Sequence, residues 1–432
     1  MNKSLAQLLI LLTFSASVAV AQSDHAFDQW WTGERGTGEW FGKRPTLEGS
    51  GINFTIKWTG TYYGIASGGL EQGSSFDQSL NFDLKLDLAK LTGRESLDGF
   101  TITSGVRYRD GANVNDDVGA SSTFNPSTFQ SGKQWRLMPF LLNYTTPELF
   151  GVKDLLSISA GWANPYDVFA QQADSKLFRN NAIISSKGIS ANGVGWSSGY
   201  VAWGGHLKVK PSSLYYAQAG LYMAIPNANA TSSHGVDFRG AENNGLYVLA
   251  ETGLTPKVGS DLLPGKYAIG GYYWDLENTS PTGRTYDGRY GFYLQADQML
   301  WRESSPDIVA DPRATAATKR KVNDEGLRWF SFFNFAPEGN SALPFYFHTG
   351  LIYKGLIPGR NNDQFGVAYA RGNYRRYEGT LKTHEGVIEC DYRFRINQWS
   401  YVQPYIQYII RPNGTGAVND ATVVGLNFGF EL

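Results

Sequence analysis

The sequence predicts an all-β protein: a transmembrane antiparallel β-barrel, with sixteen strands as the count and a short N-terminal periplasmic segment. Three observations carry this. Apolar and polar residues alternate through one segment after another, which is the side-chain period of a strand. The alternating runs last about ten residues, the length a tilted strand needs to cross a bilayer. The connections between them are long and short by turns, as expected when long loops lie outside and short turns lie in the periplasm.

The first element is a leader. Lys3 gives a positive start, Leu8 to Leu12 centre an apolar run, and Ala19-Val20-Ala21 precedes Gln22 as a small-x-small cleavage site. Residues 1–21 therefore read as a secretory signal peptide. Residues 22–50 lack the alternation of the later chain and carry Trp30, Trp31, Trp40 and Phe41 among many glycines. They are expected as a segment at the periplasmic mouth or in the lumen. The barrel is expected over 51–432.

Its strands are expected at 52–63, 78–88, 100–109, 135–144, 155–163, 200–209, 214–223, 246–254, 266–275, 290–301, 327–335, 345–354, 364–370, 386–396, 399–410 and 422–432. Ile388, Cys390, Tyr392 and Phe394 oppose Glu389, Asp391, Arg393 and Arg395. Ile406 and Tyr408 oppose Tyr405 and Gln407, and Val424, Leu426, Phe428 and Phe430 oppose Asn427 and Glu431. The segments near 135, 200 and 364 alternate poorly, which leaves fourteen or eighteen strands open. The stretch 302–326 breaks the loop asymmetry as a long periplasmic excursion and reads as an insertion.

Composition removes several function classes. Lys plus Arg make 38 against 39 Asp plus Glu, so no basic excess suggests nucleic acid. Outside the leader no apolar run is long enough for a membrane helix. The one cysteine, Cys390, excludes a disulfide framework and a cysteine-based zinc site. The five histidines are scattered, so no metal site and no cofactor is expected. Gly195-Trp196-Ser197-Ser198-Gly199 has the nucleophile-elbow spacing, but Tyr200 to Trp203 continue as strand and not helix. Gly33 to Gly38 lacks the lysine of a phosphate loop. Asp83 and Asp87, like Glu385 and Glu389, lie four apart on one strand face, and mixed-sign lumen ladders explain them better than acid–base chemistry.

Charged inward faces with aromatics beside them suit sugars, whose ring faces stack on aromatics while charged groups hydrogen-bond hydroxyls. The candidate pore-lining residues are Arg107, Arg109, Glu251, Asp297, Glu389, Arg393, Tyr405 and Trp40, with Tyr293 and Tyr401 nearby in type and position. Many of the 12 Trp and 25 Tyr are expected to form interface girdles, the more favoured reading for any single aromatic.

Gly38-Glu39-Trp40-Phe41-Gly42-Lys43-Arg44-Pro45-Thr46-Leu47, Ser67-Gly68-Gly69-Leu70 and Gly359-Arg360-Asn361-Asn362-Asp363 resemble segments of the OprB-type carbohydrate-selective porins. So does the end of the chain, with His384-Glu385, Glu389, Tyr392, Trp399, Gln403-Pro404 and Gln407 to Ile410. Phe41, Pro45 and the terminal Leu432 depart from the family pattern. The resemblance implies a sixteen-stranded barrel in the outer membrane of a Gram-negative bacterium. It implies facilitated diffusion of monosaccharides such as glucose, no enzyme activity, contact with outer-membrane lipid and lipopolysaccharide, and a monomer or homotrimer. From the residues alone, a soluble secreted sugar-binding β-protein and an outer-membrane barrel enzyme remain open.

Overall fold

In a computed structural model, residues 24–127, 134–195, 199–226, 228, 230–238, 245–303 and 324–432 are described. The expected leader and the central residues of the elbow-like motif, 196–198, lie outside them. Sixteen long strands succeed one another: β1 (Ile52–Gly69), β2 (Ser74–Asp87), β3 (Phe100–Gly111), β4 (Gln134–Thr145), β5 (Leu156–Ala163), β6 (Ala202–Val209), β7 (Tyr215–Ala224) and β8 (Gly245–Leu254) form the first half. The second half comprises β9 (Leu263–Trp274), β10 (Arg289–Arg302), β11 (Gly326–Phe335), β12 (Phe345–Lys354), β13 (Gln364–Asn373), β14 (His384–Arg395), β15 (Ser400–Ile410) and β16 (Asn419–Glu431). Each pairs antiparallel with the next in chain order. β16 returns to β1 from Lys57↔Glu431 to Gly69↔Asn419, so the sheet closes and has no free edge.

Sixteen is thus the strand count, and fourteen and eighteen fall away. Several strands run past the expected limits at the long-loop end, β1 to Gly69 and β13 to Asn373. Backbone pairing continues there beyond the height at which an apolar face is needed, so alternation understates the length. The irregular segment near 135 has a clear cause. The β3–β4 register shifts between Ser104↔Phe140 and Val106↔Leu137. Trp135 faces outward before the shift, Phe140 and Leu142 after it. The outward parity flips within one strand, as a bulge requires. Pro139 sits in that break, where no ladder N–H is asked of it.

The lipid-facing parity is as read from the sequence. Ile388, Phe394 and Ile406 are exposed while Glu389 and Gln407 between them are buried. Cys390 shares the outward row with Ile388 and is half-buried. Among the described residues no helix is long and apolar enough to cross a membrane; the spans are strands.

The lumen departs from expectation. The long connections after β3 and after β5 were expected outside, and the described residues of both fold into the barrel. Helix α3 (Asn115–Val118) lies in the first; α4 (Asn181–Ile184) and α5 (Lys187–Ala191) lie in the second. (α1, Asp24–Trp31, and α2, Lys43–Gly49, precede β1.) Val118, Phe124, Phe169, Leu177, Phe178, Ile183 and Ile189 pack on inward wall residues such as Tyr63, Phe330, Phe332 and Tyr346. The main apolar core is therefore inside the barrel. This explains the poor alternation near 364. Gly366, Ala368, Ala370 and Gly372 form a small apolar inward face, and a Cβ on Gly366 would meet Leu177 Cδ2 at 2.6 Å.

The segment before β1 binds the seam where the barrel closes. Arg44 is fully buried and donates to Thr37 Oγ1, Gly38 O and the Leu432 main-chain oxygen. Gly36 N donates to Glu431 O at 2.8 Å, and Trp30 packs on Trp399 with ring centroids 5.1 Å apart. The 302–326 stretch joins β10 to β11 at the short-turn end, with Glu303 N donating to Glu325 O at its base. Residues 304–323 lie outside the described residues.

Candidate functional site

The lumen has two unlike walls. Along β8, β10, β11, β14 and β15 the inward polar residues hold the inserted segments. Glu251 is buried mid-strand in β8. It accepts from Ala170 N (2.8 Å), Tyr216 Oη (2.7 Å), Gln218 Nε2 (3.0 Å) and Tyr293 Oη (2.7 Å). Glu389 on β14 is fully buried and accepts from Arg179 N at 2.6 Å and Asn180 N at 2.9 Å. The Asn180 side chain donates to Gln407 Oε1 at 3.0 Å and to Phe124 O, tying both inserted segments to the wall. Gln172 is held between Asp297, Ser331 O and His348 Nε2. Arg328 on β11 forks onto Asp174 at 2.9 and 3.0 Å; burial holds the Asp174 carboxyl above its ordinary range, with Arg328 pulling the other way.

A carboxylate that accepts backbone N–H groups in a buried place is a docking point, because those donors would otherwise lose their water without replacement. Glu251, Asp297 and Glu389 were expected to line the pore. The structure places all three on the inward face, but against inserted chain. Glu385 takes the same part, accepting from Ser121 N, Asn413 N and Tyr374 Oη. The Glu385/Glu389 spacing thus reflects two docking points, and Asp87 instead caps the short helix Leu88–Thr92.

The wall of β2 and β3 is different below Asp77, which is itself buried and accepts from Ser127 of the first inserted segment. Arg107 and Arg109 point inward from β3 and are only partly buried. Arg107 pairs with Asp83 at 2.5 Å across the strands. Gly105 lets this pair lie flat on the wall, since a Cβ there would meet Asp83 Oδ1 at 2.9 Å and Arg107 Nη1 at 3.0 Å. Asn53, Thr55, Lys85 and Thr103 continue the polar surface toward the short-turn end, in register with one another and with Asp83. The inserted segment faces this wall with its own charges. Lys187 on α5 is pushed down to about 8 by burial and then by Arg109. Lys176 donates to Tyr166 Oη at 3.1 Å and lies over its ring.

The remaining candidates divide. Arg393 on β14 donates to Gln403 Oε1 and Leu177 O and lies 4.6 Å from the Tyr401 ring centroid. Tyr405 is buried edge-on to Tyr63. Both are inward. Trp40 is not with them. It stacks on Phe54 with centroids 5.2 Å apart, and Phe54 belongs to the outward row of β1 with the exposed Phe82 as its neighbour. This corrects its assignment to the lumen: its segment wraps the barrel rim, anchored by Arg44. Alternation gives the face of strand residues wherever the register is unbroken, as it is not within β4. It could not reveal Lys187, Lys176, Tyr166 or Asp174, which lie on loop with no period. The one available signal was the apolar content of 164–195, unusual for a connection in water.

Among the described residues no cluster of His, Cys, Asp and Glu is arranged to hold a metal ion. Comparison with known proteins agrees with a channel. Residues 71–432 match the family model of the carbohydrate-selective porins, OprB family. The chain is 24% identical to Porin B of Pseudomonas aeruginosa, over 90% of this chain and 89% of that one. It is also 24% identical to the putative porin QuiX of Acinetobacter baylyi, over 96% and 97%. Among solved structures it superposes on the high-pH structure of Pseudomonas putida OprB with a TM-score of 0.79 and 21% identity, covering 92% of this chain and 98% of that one. The low-pH structure of the same protein gives 0.59 at 19% identity, covering 93% and 99%. The closed barrel and the family match remove the soluble and enzymatic alternatives: the chain belongs to the OprB family of carbohydrate-selective porins, channels of the Gram-negative outer membrane.

Proposed function

We propose that this porin passes neutral monosaccharides such as glucose by facilitated diffusion, along the β2–β3 side of the lumen. The observation that carries the reading is the contrast of the two walls. One is occupied by inserted chain. The other keeps Asp83, Lys85, Thr103, Arg107 and Arg109 toward the remaining space, facing Lys187, Tyr166 and Asp167 of the inserted segment. Mixed charges held flat on a wall offer hydroxyl groups both donors and acceptors while setting up little net field. Arg393, Tyr401 and Tyr405 are proposed as further lining groups near the inserted segment. Glu251, Asp297 and Glu389 are proposed to shape the passage by docking that segment.

The same reading takes residues 1–21 as a removed leader, 22–50 as a periplasmic rim segment and 51–432 as the barrel. Outer-leaflet lipid and lipopolysaccharide surround it, in a monomer or homotrimer. The test is conductance of the purified protein in a planar bilayer. Glucose is expected to block ion flow reversibly, and Arg107→Ala to weaken that block. Conductance indifferent to glucose at high concentration would overturn the sugar reading and leave the barrel standing.

A further inference from the structure

The outward rim at the long-loop end is not uniform. At three places it carries a tyrosine bonded to an aspartate. Tyr108 donates to Asp110, Tyr273 to Asp275 and Tyr408 to Asp420. Between β13 and β15 it turns cationic. Arg371 lies on the outward row of β13, two residues beyond Tyr369. His384, paired with Asn373, opens β14, and Arg411 comes directly after Ile410 at the end of β15. Both arginines lie within electrostatic reach of His384. No ion pair joins any of the three to a carboxylate among the described residues. Arg371 donates to Asn373 Oδ1; the Arg411 main-chain N–H is taken by Asp420, and its guanidinium makes one long bond, from Nη2 to Thr415 O at 3.4 Å.

Directly below this patch the lipid-facing wall carries a shallow, open depression. A groove of about 740 Å³ runs between Trp329, Leu351, Val367, Tyr369, Ile388 and Ile410. Its floor is low because Thr349 is small where its neighbours are aromatic or aliphatic. Trp329 Nε1 donates to Thr349 Oγ1 at 3.0 Å, which fixes the indole as a wall. Tyr369 and Arg371 are two residues apart on one strand, so groove and cations are separated by roughly 7 Å.

We propose that this face seats one phosphorylated, multiply acylated glycolipid of the outer leaflet, its phosphate on Arg371, His384 and Arg411 and an acyl chain in the groove. The argument is charge complementarity combined with continuity. Cations at headgroup height recognise a phosphate, and the adjoining groove takes the chain that such a headgroup carries. An acyl chain alone would need no cations, and a free anion would need no groove.

The test is native mass spectrometry of the intact barrel in detergent, titrated with diphosphoryl lipid A. The expected result is one retained lipid per barrel. Arg371→Gln should weaken binding about tenfold, the loss of one charge-assisted contact. The same lipid stripped of phosphate should bind the wild type as weakly. Thr349→Phe, which fills the groove floor, should weaken both lipids. Ion conductance of each variant should match the wild type, since neither residue faces the lumen. Equal retention of the two lipids by the wild type would overturn the phosphate site, and this comparison needs no variant. Unchanged retention by Thr349→Phe would overturn the groove.

Discussion

The β2–β3 wall and the β8–β15 wall carry similar residue types on the same inward parity, and they do different work. Asp83 faces a strand neighbour and the remaining lumen; Glu389, equally inward, faces two backbone N–H groups of inserted chain. A charge on an inward strand face is therefore a docking point or a lining group according to whether loop lies against it. The difference teaches that barrel parity is a local property of a strand, while lumen access depends on segments distant in sequence.

The largest expected effect attacks the docked wall. Glu389→Ala removes the acceptor of Arg179 N and Asn180 N together. Two lost bonds to a buried charge amount to roughly 3–5 kcal/mol against the inserted segment. Single-channel conductance should at least double and become noisy. Wild-type conductance in this variant would mean the segment is held by its apolar contacts alone, and the contrast between the walls would lose its basis.

How much of this was legible depends on what alternation encodes. A closed barrel imposes one rule on every strand, so all sixteen were readable, along with the outward sense of Ile388, Cys390 and Ile406. The rule failed where the physics changed. At Met138 and Pro139 a register shift flips the parity, and along β13 the inward side packs on apolar chain instead of water, Gly366 on Leu177 and Phe178 and Gly372 on Leu343. The site was less legible. Arg107 and Arg109 could be placed on the lumen by parity. Whether Glu251 or Glu389 meets water depends on 164–195 folding inward, which no strand period records. Trp40 lay before the first strand, where nothing fixes a face.

The next effect sharpens the inside–outside contrast that both walls share. Ile388→Arg puts a cation on the lipid face near mid-height and should destabilise by about 2–4 kcal/mol. Thr103→Arg, on the open inward wall, should change stability by no more than about 0.5–1 kcal/mol. Urea unfolding in lipid vesicles measures both. Equal losses would show that the open wall is packed like the docked one.

A smaller effect tests the open wall. Arg107→Ala combined with Arg109→Ala removes two positive charges from a confined space where screening is incomplete. The anion-to-cation permeability ratio should fall roughly threefold, an estimate from two charges acting across a partly aqueous gap. Reversal potentials across a salt gradient read this directly. Glu389→Gln should move the ratio much less than this pair, because Glu389 is fully buried against the inserted segment. A larger shift from Glu389→Gln would mean the walls have been assigned the wrong way round.

The smallest expected effect joins the two walls. Lys187 belongs to the docked segment but faces the open side, where burial and Arg109 bring it down to about 8. The depressed value sets the sign. At pH 7 most of the lysine is protonated and adds a positive charge to the passage; at pH 9 most of it is neutral. Anion preference should therefore fall between pH 7 and 9, by less than twofold for one partly screened charge. Lys187→Gln should start from the lower preference and stay nearly flat over the same interval. Reversal potentials of wild type and variant at the two pH values decide it. Parallel curves would place Lys187 away from the conducting path, and the open side of the lumen would then be bounded by β2 and β3 without the inserted helix.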